Sequence, residues 1–394
     1  MIFRLAWKNI IGAGFRTWLN VFILSICYFA IIAVQGMFLG WQEEASQKIK
    51  LWDIAEGQYW QKDFDPYDPF TWHKSHAKIP DKIMEKNAKE KAVPVLLTWV
   101  TAYPHGRMRN VMLKGINPEQ NLLILPSEYL KEKSDYIPAI MGKRTAESLK
   151  LQTGDYLTLR WKDQHGTFDA TDILVRHIFK TTVLSVDSNQ IWIALDQLQD
   201  MLDLPDEATL ISIADAKKIQ SFSDWEFKDT DYLLRDVKSM IEAKTIGSTI
   251  FYILLLFMAM IAIFDSQILS IFRRRKEIGT LMALGLTRSQ VIRLFTLEGS
   301  LHAILAIGIG AIYGIPILNQ LEKRGITFGM EAGEFGISGL SDRLYPIYGF
   351  KLVLITILLV LITTIIVSFI PARKITKLKP TDVLKGKFNY SKRN

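Results

Sequence analysis

The sequence contains a single cysteine, Cys27, which lies inside an apolar run. No disulfide can form within the chain, so cysteine usage says nothing about the redox compartment. The phosphate-binding pattern G-x-x-x-x-G-K-[ST] is also missing, because Gly142-Lys143-Arg144 lacks both the earlier glycine and the hydroxyl residue. We therefore expect a chain without an ATPase site of its own and without a bound cofactor.

Signals for other active sites are equally sparse. His73 and His76 are three residues apart, a spacing that metal sites use, but two histidines without further ligands are a weak indication of a metal. No segment resembles the G-x-S-x-G turn of serine hydrolases, although a Ser/His/Asp arrangement can be dispersed along a chain. We predict a protein that is not an enzyme, with no catalytic residue and no metal site.

Long apolar runs dominate what is present. Apolar residues make up 49% of the 394 positions and charged residues 22%, a mixture that fits membrane spans joined to a water-soluble domain. Crossing a bilayer takes about 20 residues, and the stretches of that length are residues 17–40, 246–272, 294–318 and 350–370. The first stretch is longer than the apolar core of a signal peptide and ends in bulky residues, which favours an uncleaved anchor over a cleaved signal.

Positive charge indicates how the spans are oriented. Lysine and arginine are concentrated before the first span, in residues 273–293 and after the fourth span, whereas residues 322–348 hold more acidic than basic residues. Basic segments favour the cytoplasmic side. We therefore predict cytoplasmic termini in an inner-membrane protein, and the net charge of +8 then requires no nucleic-acid partner.

The region between the first two spans, residues 42–245, is predicted to be an extracytoplasmic α+β domain. Apolar and polar residues alternate over Tyr156–Trp161, which predicts a strand, and Asp163–Gly166 is typical of a hairpin turn. Further strands are predicted at residues 95–101, 110–114, 173–178 and 190–194. Leu233, Val237, Met240 and Ile241 have helical spacing and predict a helix that leads into the second span.

An aromatic, proline-broken loop, Asp63–Phe70, lies early in this domain. It could be an exposed contact for a partner, but we favour the interpretation that its aromatic side chains pack onto their own domain.

Polar and small residues inside the spans have alternative explanations. Asp265 and Glu298 could relay protons, but internal pairing, for Glu298 with Arg293 or Arg288, is the favoured interpretation. Gly310 and Gly314 form a G-x-x-x-G pattern that allows close helix packing, which we expect within one subunit.

The segment Phe272–Gly285 is the most informative part of the sequence. It predicts that the second span continues as a helix beyond the membrane, with an apolar side formed by Ile278, Leu281, Met282 and Leu284. Gly285 is suited to end this helix in a left-handed conformation, and Thr287–Gln290 has the spacing of a capping box for a new helix. Such an elbow, with an apolar edge and a basic rim, can fit a groove on a cytoplasmic partner.

This segment resembles the motif R-x-R-x-E-I-G-x-L-x-A-L-G-x-x-x-x-Q of FtsX/MacB-type ABC transporter permeases. Pro371-Ala372-Arg373, Leu5–Asn9 and the order of one span, a domain and three spans are similar to the same family. Val111–Pro118 and Leu151–Asp155 resemble the lipoprotein-releasing, LolC/LolE-like members. The resemblance implies a membrane α-helical fold with four transmembrane helices and an α+β domain of the MacB-like periplasmic core type.

The predicted organisation follows from the spans and the resemblance together. Its parts are an N-terminal segment with the first transmembrane helix (1–41), the extracytoplasmic domain (42–245), the second helix (246–272), the coupling elbow (273–293), the third and fourth helices with a short outer loop (294–370), and a basic cytoplasmic tail (371–394).

The resemblance also implies a function. A cytoplasmic ABC ATPase dimer would bind ATP, a second permease of the same or a paralogous chain would complete the complex, and lipoproteins would be released from the outer leaflet to a periplasmic carrier. The alternative is a mechanotransmission subunit that transports nothing and acts on an efflux partner or a cell-wall hydrolase. The implied ATPase-coupling residues are Arg275, Glu277, Ile278, Leu281, Met282, Leu284 and Gly285. The implied cavity for the lipid anchor is formed by Met37, Phe38, Trp41, Ile250, Ile253 and Leu254.

Overall fold

The computed structural model describes residues 2–12, 14–68, 70–87, 91–132, 135–216, 222–327 and 343–375. These residues form two compact units. The helical unit comprises the chain up to Trp41, Ile241–Thr327 and the described residues from Arg343 onwards, and the sheet unit comprises Gln42–Met240. The sequence-based boundaries fall after residues 41 and 245, so the second differs from the structural division, because one helix runs continuously through it.

The long helices lie before and after a region in which strands are interspersed with short helices. The helices are α1 (Ile2–Gly12), α2 (Phe15–Ile49), α3 (Asp81–Asn87), α4 (Lys143–Leu149), α5 (Leu184–Asp187), α6 (Leu195–Leu202), α7 (Thr230–Leu233), α8 (Arg235–Arg273), α9 (Arg275–Ala283), α10 (Arg288–Arg324) and α11 (Phe350–Ile375). The strands are β1 (Gly57–Gln61), β2 (Ala77–Lys78), β3 (Ala92–Ala102), β4 (Arg109–Ile116), β5 (Ile137–Gly142), β6 (Tyr156–Lys162), β7 (Phe168–Phe179), β8 (Gln190–Ala194), β9 (Glu207–Ala208), β10 (Leu210–Ile213), β11 (Trp225–Asp229), β12 (Ile326–Thr327) and β13 (Arg343–Leu344).

Among the described residues, four helical stretches are long and apolar enough to cross a membrane. They are Trp18–Ile54, Arg235–Arg273, Arg288–Arg324 and Phe350–Arg373, and they correspond to the four predicted spans. The stretches exceed the predicted spans because the helices continue into polar sequence, as where Lys48 pairs with Glu44 one turn earlier at 2.9 Å. Four such helices together with an α+β unit confirm the predicted fold class.

The helices of the helical unit pack through small residues. A Cβ atom at Gly310 would lie 3.2 Å from the Tyr28 ring, and one at Gly314 would lie 3.2 Å from the Phe29 ring, so α10 approaches α2 along its G-x-x-x-G face. The pattern therefore serves packing within one chain, as favoured from the sequence.

The sheet unit is built on a partly closed barrel. In the described part of the unit, nine strands form one sheet in the order β11-β1-β10-β3-β4-β8-β5-β7-β6. Strand β3 also pairs with β6, at Thr101↔Arg160 and Ala102↔Leu159, which closes six of the strands into a ring. Closure pairs backbone groups that would otherwise form an exposed sheet edge.

The predicted strands are confirmed. Strand β6 buries Leu157, Leu159 and Trp161 and exposes the residues between them, and the hairpin turn before β7 contains Gly166 at φ +89°. The predicted segments at 95–101, 110–114, 173–178 and 190–194 lie in β3, β4, β7 and β8. Strands β1, β5 and β10 were not predicted, because strands with little or no alternation lack a period-2 signal; all four residues of β10, for example, are buried. Strand β11 was also not predicted, although its apolar and polar residues alternate.

The two chain segments that enter and leave the sheet unit share one hydrophobic cluster. Helix α2 passes directly into a π-helical turn, Lys50–Ile54, and Ile49 and Ile54 belong to this cluster. Leu234 is buried in the same cluster, and Val237 of α8 packs against it. The predicted helix before the second span is therefore present, although Leu233 belongs to the short α7 that precedes α8.

The aromatic loop packs only in part onto its own unit. The Phe64 ring lies 5.2 Å from that of Trp60, and the Trp72 ring stacks on that of Trp99 at 5.3 Å between centroids. Tyr67 and Phe70 remain exposed, and the Tyr67 hydroxyl bonds to Asp236 at the start of α8. The favoured interpretation thus holds for Phe64 but not for Tyr67 and Phe70.

Candidate functional site

The elbow is a short helix between two well-defined breaks. Helix α8 ends at Arg273, and Arg274, at φ −94° and ψ 11°, separates it from α9. The predicted continuation of the second span as a helix is therefore interrupted at Arg274. Gly285 has φ +102°, a conformation that suits glycine, and Thr287 and Gln290 form the predicted capping box at the start of α10.

The predicted apolar side of the elbow is divided between two environments. Ile278 is buried against Ile271, Val291 and Phe295, and Met282 packs onto the same cluster. Leu284, by contrast, is 78% exposed. Ile278 and Met282 therefore hold α9 onto the helical unit, and Leu284 is available to a partner.

Of the remaining predicted coupling residues, the structure describes the side chain of Glu277. The side chain of Glu277 is 67% exposed, and its Oε2 lies 3.1 Å from Arg274 Nε. The side chains of Arg275 and Leu281 lie outside the described residues. No shared contact unites the described members of the predicted set, because Ile278 and Met282 face inward and Leu284 faces outward.

The prediction of a neighbouring arginine as the partner of Glu298 is wrong. Glu298 is 4% exposed, and its carboxylate accepts a 2.8 Å hydrogen bond from Arg274 Nη1 and a 2.5 Å hydrogen bond from Asn9 Nδ2. It pairs with neither Arg293 nor Arg288, because both of those side chains are exposed. Internal pairing is nevertheless what the structure shows for Glu298.

Helix α1 brings Asn9 to this carboxylate. Ala6 is fully buried in a cluster with Leu294 and Leu301 of α10, so α1 lies along the first turns of α10. Arg274 and Asn9 were not singled out from the sequence. Their only sequence signal is that each lies within a matching segment, the R-x-R-x-E-I-G motif and Leu5–Asn9.

The candidate anchor residues also differ in exposure. Ile250, Ile253 and Leu254 on α8 are 67%, 61% and 53% exposed, as a lipid-facing surface requires. Trp41 is only 5% exposed and lies beneath the Lys244 ammonium, which is 5.3 Å from the ring centroid. Trp41 is therefore removed from the predicted surface, whereas Met37 and Phe38 are half-buried on α2.

A close contact between α2 and the segment before α11 was not predicted from the sequence. A Cβ atom at Gly36 would lie 2.2 Å from the Tyr348 ring, and one at Gly40 would lie 2.2 Å from the Tyr345 carbonyl oxygen. The backbone N–H of Ile347 donates to the Gly36 carbonyl at 2.9 Å. The segment before α11 is thus seated on a groove of α2, and the second G-x-x-x-G pattern, Gly36–Gly40, was the available signal.

The other polar residues singled out from the sequence have ordinary surroundings. His76 pairs with Glu207, and His73 is exposed. In the described ranges no three His, Cys, Asp or Glu side chains are grouped as a metal site requires. Asp265 is exposed on α8, so the internal pairing favoured for it from the sequence does not agree with the structure.

The elbow and the helices around it match a known family. The family model described as FtsX-like permease C-terminal matches residues 249–380, which include α9, α10 and α11. This part of the chain is similar to FtsX-like permease domains. The match confirms the resemblance to FtsX/MacB-type permeases.

Curated relatives point the same way. An uncharacterized ABC transporter permease of Methanocaldococcus jannaschii is 22% identical over 65% of this chain and 64% of its own length. The lipoprotein-releasing system transmembrane protein LolC of Xylella fastidiosa is 27% identical over 31% of this chain and 30% of its own length. The chain thus spans less than two thirds of either relative.

The fold comparison gives a partial match. The crystal structure of the extracellular domain of the noncanonic ABC-type transporter YknZ from Gram-positive bacteria has a TM-score of 0.27 and 16% identity. The match covers 46% of this chain and 94% of that domain.

Proposed function

We propose that this chain is the permease subunit of an ABC transporter and that it couples ATP hydrolysis by a separate ATPase to the release of lipoproteins from the outer leaflet of the inner membrane. The observation that carries the proposal is the elbow of the FtsX-like domain. It is a short helix with its inner side buried at Ile278 and its outer end exposed at Leu284. Such an element can transmit force because it is anchored on one side and accessible on the other.

The proposed complex has several members. A cytoplasmic ABC ATPase dimer binds ATP and contacts the elbow at Glu277, Leu284 and Gly285, and a second permease, the same or a paralogous chain, faces this one. In this arrangement the termini are cytoplasmic and the sheet unit is periplasmic, in keeping with the basic residues beside the spans. The lipoprotein leaves for a periplasmic carrier.

The exposed part of α8 is suited to a greasy anchor. Ile250, Ile253 and Leu254 form one apolar helix face with Phe257 and Met258, which are 56% and 61% exposed. Methionine and aromatic side chains adapt to variable apolar shapes. Extraction of an acyl chain costs about 0.8 kcal/mol per CH₂, and a receiving apolar face offsets part of that cost.

A single preparation tests the proposal. The chain is purified with its co-expressed ATPase, with a photo-crosslinker at Ile253 or Met37 and, as a control, at Ile312, which is 78% exposed on α10. We expect lipoprotein to be captured at Ile253 and Met37 and only phospholipid at Ile312. Leu284→Asp should abolish co-purification of the ATPase.

Charged variants complete the test. Ile253→Glu should block lipoprotein release while ATP hydrolysis persists, and Ile312→Glu should not block release. Capture of phospholipid alone at all three positions, with normal release by Ile253→Glu, would refute the release function.

The alternative is a mechanotransmission subunit that acts on an efflux partner or a cell-wall hydrolase. One observation favours this alternative. The segments by which the chain enters and leaves the sheet unit share a hydrophobic cluster that includes Ile54 and Leu234, so a displacement of one segment is transmitted to the other. In that case ATPase binding at Leu284 persists, but no lipoprotein is captured.

A further inference from the structure

The carboxylate of Glu298 connects three separate elements. It lies on α10, accepts from Arg274 at the α8–α9 break at 2.8 Å, and accepts from Asn9 of α1 at 2.5 Å. Both hydrogen bonds end on the same oxygen, Oε1, and the residue is 4% exposed. A buried carboxylate that loses its cation is left uncompensated in a poorly solvated site, so the three elements are held together strongly.

Arg274, at the α8–α9 break, contacts both α9 and α10. Its Nη1 reaches Glu298, its Nε reaches Glu277 of α9 at 3.1 Å, and its guanidinium lies 5.7 Å from the centroid of the buried Phe295 ring. A guanidinium offers donors in a fixed planar fork, whereas a lysine ammonium is a point charge that cannot hold both carboxylates in the same orientation. The residue at the break is thus oriented from three directions.

The part of α10 that carries Glu298 is itself held by close packing. Gly299, the neighbour of Glu298, leaves so little space that a Cβ atom there would lie 1.8 Å from Ser368 Oγ of α11. On the other side, Ala6 of α1 is fully buried against α10. Helix α10 therefore presents Glu298 from a tightly packed position.

We propose that Glu298 is the positioning residue of the elbow, which holds Arg274 and Asn9 against α10 and thereby fixes the direction in which α9 leaves α8. Without the hydrogen bonds to Glu298, the α8–α9 break would bend when α9 is displaced. With these hydrogen bonds, a displacement of α9 is transmitted to α10 and α1. This role deepens the proposed function, since it explains how the elbow could transmit force, but the geometry itself can be tested on the chain alone.

The test measures the distance between two spin labels in the full chain in lipid nanodiscs. Labels at Leu284, 78% exposed, and Ile304, 52% exposed on α10, report the direction of the elbow, in a Cys27→Ser background. Ile304 lies about 24 Å along α10 from its first residue, at 1.5 Å per residue, within the range of pulsed measurements. The variants are Glu298→Gln, Arg274→Gln, Arg274→Lys and the double variant Arg274→Gln/Glu298→Gln.

We expect a single narrow distance distribution in the parent and an about twofold broader one in Glu298→Gln and Arg274→Gln, with no further broadening in the double variant, because both changes remove the same interaction. Arg274→Lys, which keeps the charge, should recover part of the narrow distribution. The matched control Glu322→Gln makes the same change at the exposed far end of α10 and should leave the distribution unchanged. Narrow distributions in Glu298→Gln and Arg274→Gln would overturn the proposal and leave the pair with a stabilising role alone.

A second measurement separates this inference from the proposed function. In the complex with the ATPase, Glu298→Gln should lower the permease-stimulated rate of ATP hydrolysis without changing KM for ATP, because the nucleotide is bound by the partner. Should no ATPase associate with the parent chain, the proposed function fails while the distance result still decides the role of Glu298. Should Glu298→Gln fail to insert, Asn9→Ala and Arg274→Lys provide the distances, and unchanged distributions in both would contradict the proposal.

Discussion

Arg274 of the helical unit and Lys114 of the sheet unit are basic side chains held in different ways. Arg274 is paired directly with the buried Glu298 at 2.8 Å. Lys114, 6% exposed on β4, lies 4.0 Å from Asp53 Oδ1, donates to the Ser185 carbonyl at 3.4 Å and sits 4.6 Å from the Trp192 ring centroid. One cation is neutralised by a carboxylate, and the other is surrounded mainly by dipoles and an aromatic ring.

The two basic side chains differ in whether they can lose their charge. Burial lowers the pKa of Lys114, and the more distant Asp53 opposes that shift. A lysine can give up its proton when it is poorly compensated, whereas a guanidinium stays charged and must keep its partner. The helical unit therefore depends on an intact ion pair, and the sheet unit tolerates a cation of adjustable charge.

The largest expected effect concerns the side of the membrane on which each region lies. Cysteines at Asn110 and Gln164 in the sheet unit should react with a membrane-impermeant maleimide added outside intact cells, and one at Ser289 beside the elbow should not. All three positions are exposed, so the labelling reports the compartment rather than burial. Cys27 is buried, so the parent chain is the unlabelled control. Labelling of Ser289 alone would invert the orientation inferred from the basic residues.

The second largest effect is expected when the ion pair between Arg274 and Glu298 is removed. Arg274→Ala leaves Glu298 buried without its cation and should lower the free energy of unfolding by about 3–5 kcal/mol. Arg288→Ala, at an exposed arginine at the start of α10, should change it by no more than about 0.5 kcal/mol. Thermal unfolding in detergent measures both, and equal effects of the two variants would remove the distinction drawn for Arg274.

The smallest effect concerns Lys114. Lys114→Met replaces a poorly compensated cation with an apolar side chain of similar length and should change the free energy of unfolding by about 1 kcal/mol or less near pH 7. The parent should also gain stability as pH rises from the lowered pKa of Lys114 toward the ordinary 10.5, because the unfolded chain binds more protons in that window. In Lys114→Met this gain should be absent. Parallel pH dependence of the two proteins would contradict the assignment.

Local sequence signals predicted the spans, the β6–β7 hairpin and the capping box at Thr287, because each depends on hydrophobic period or turn chemistry within a few residues. Gly285 was likewise identified from its position after the apolar pattern, and its φ of +102° agrees. Each of these features is therefore determined by the residues of its own segment.

Contacts between distant segments could not be read in the same way. The partners of Glu298 are Asn9, 289 residues away, and Arg274, 24 residues away. Nearby arginines at 288 and 293 looked equally suitable, since one sequence gives no signal for which helix faces which. The closure of β3 on β6 and the seat for Tyr348 on Gly36 were hidden for the same reason.

The shared cluster at Ile49, Ile54, Leu234 and Val237 has a consequence for how the sheet unit is built into the chain. It brings the first and last segments of a domain of nearly two hundred residues side by side, so the domain is an insertion whose ends are already joined by packing. The entropic cost of closing a flexible loop rises by only about 0.6 kcal/mol per doubling of the loop length. This cost is smaller still for a folded domain, because its own core already holds the two ends together. Residues can therefore be added to or removed from its surface loops without changing the spacing between α2 and α8 where they meet the sheet.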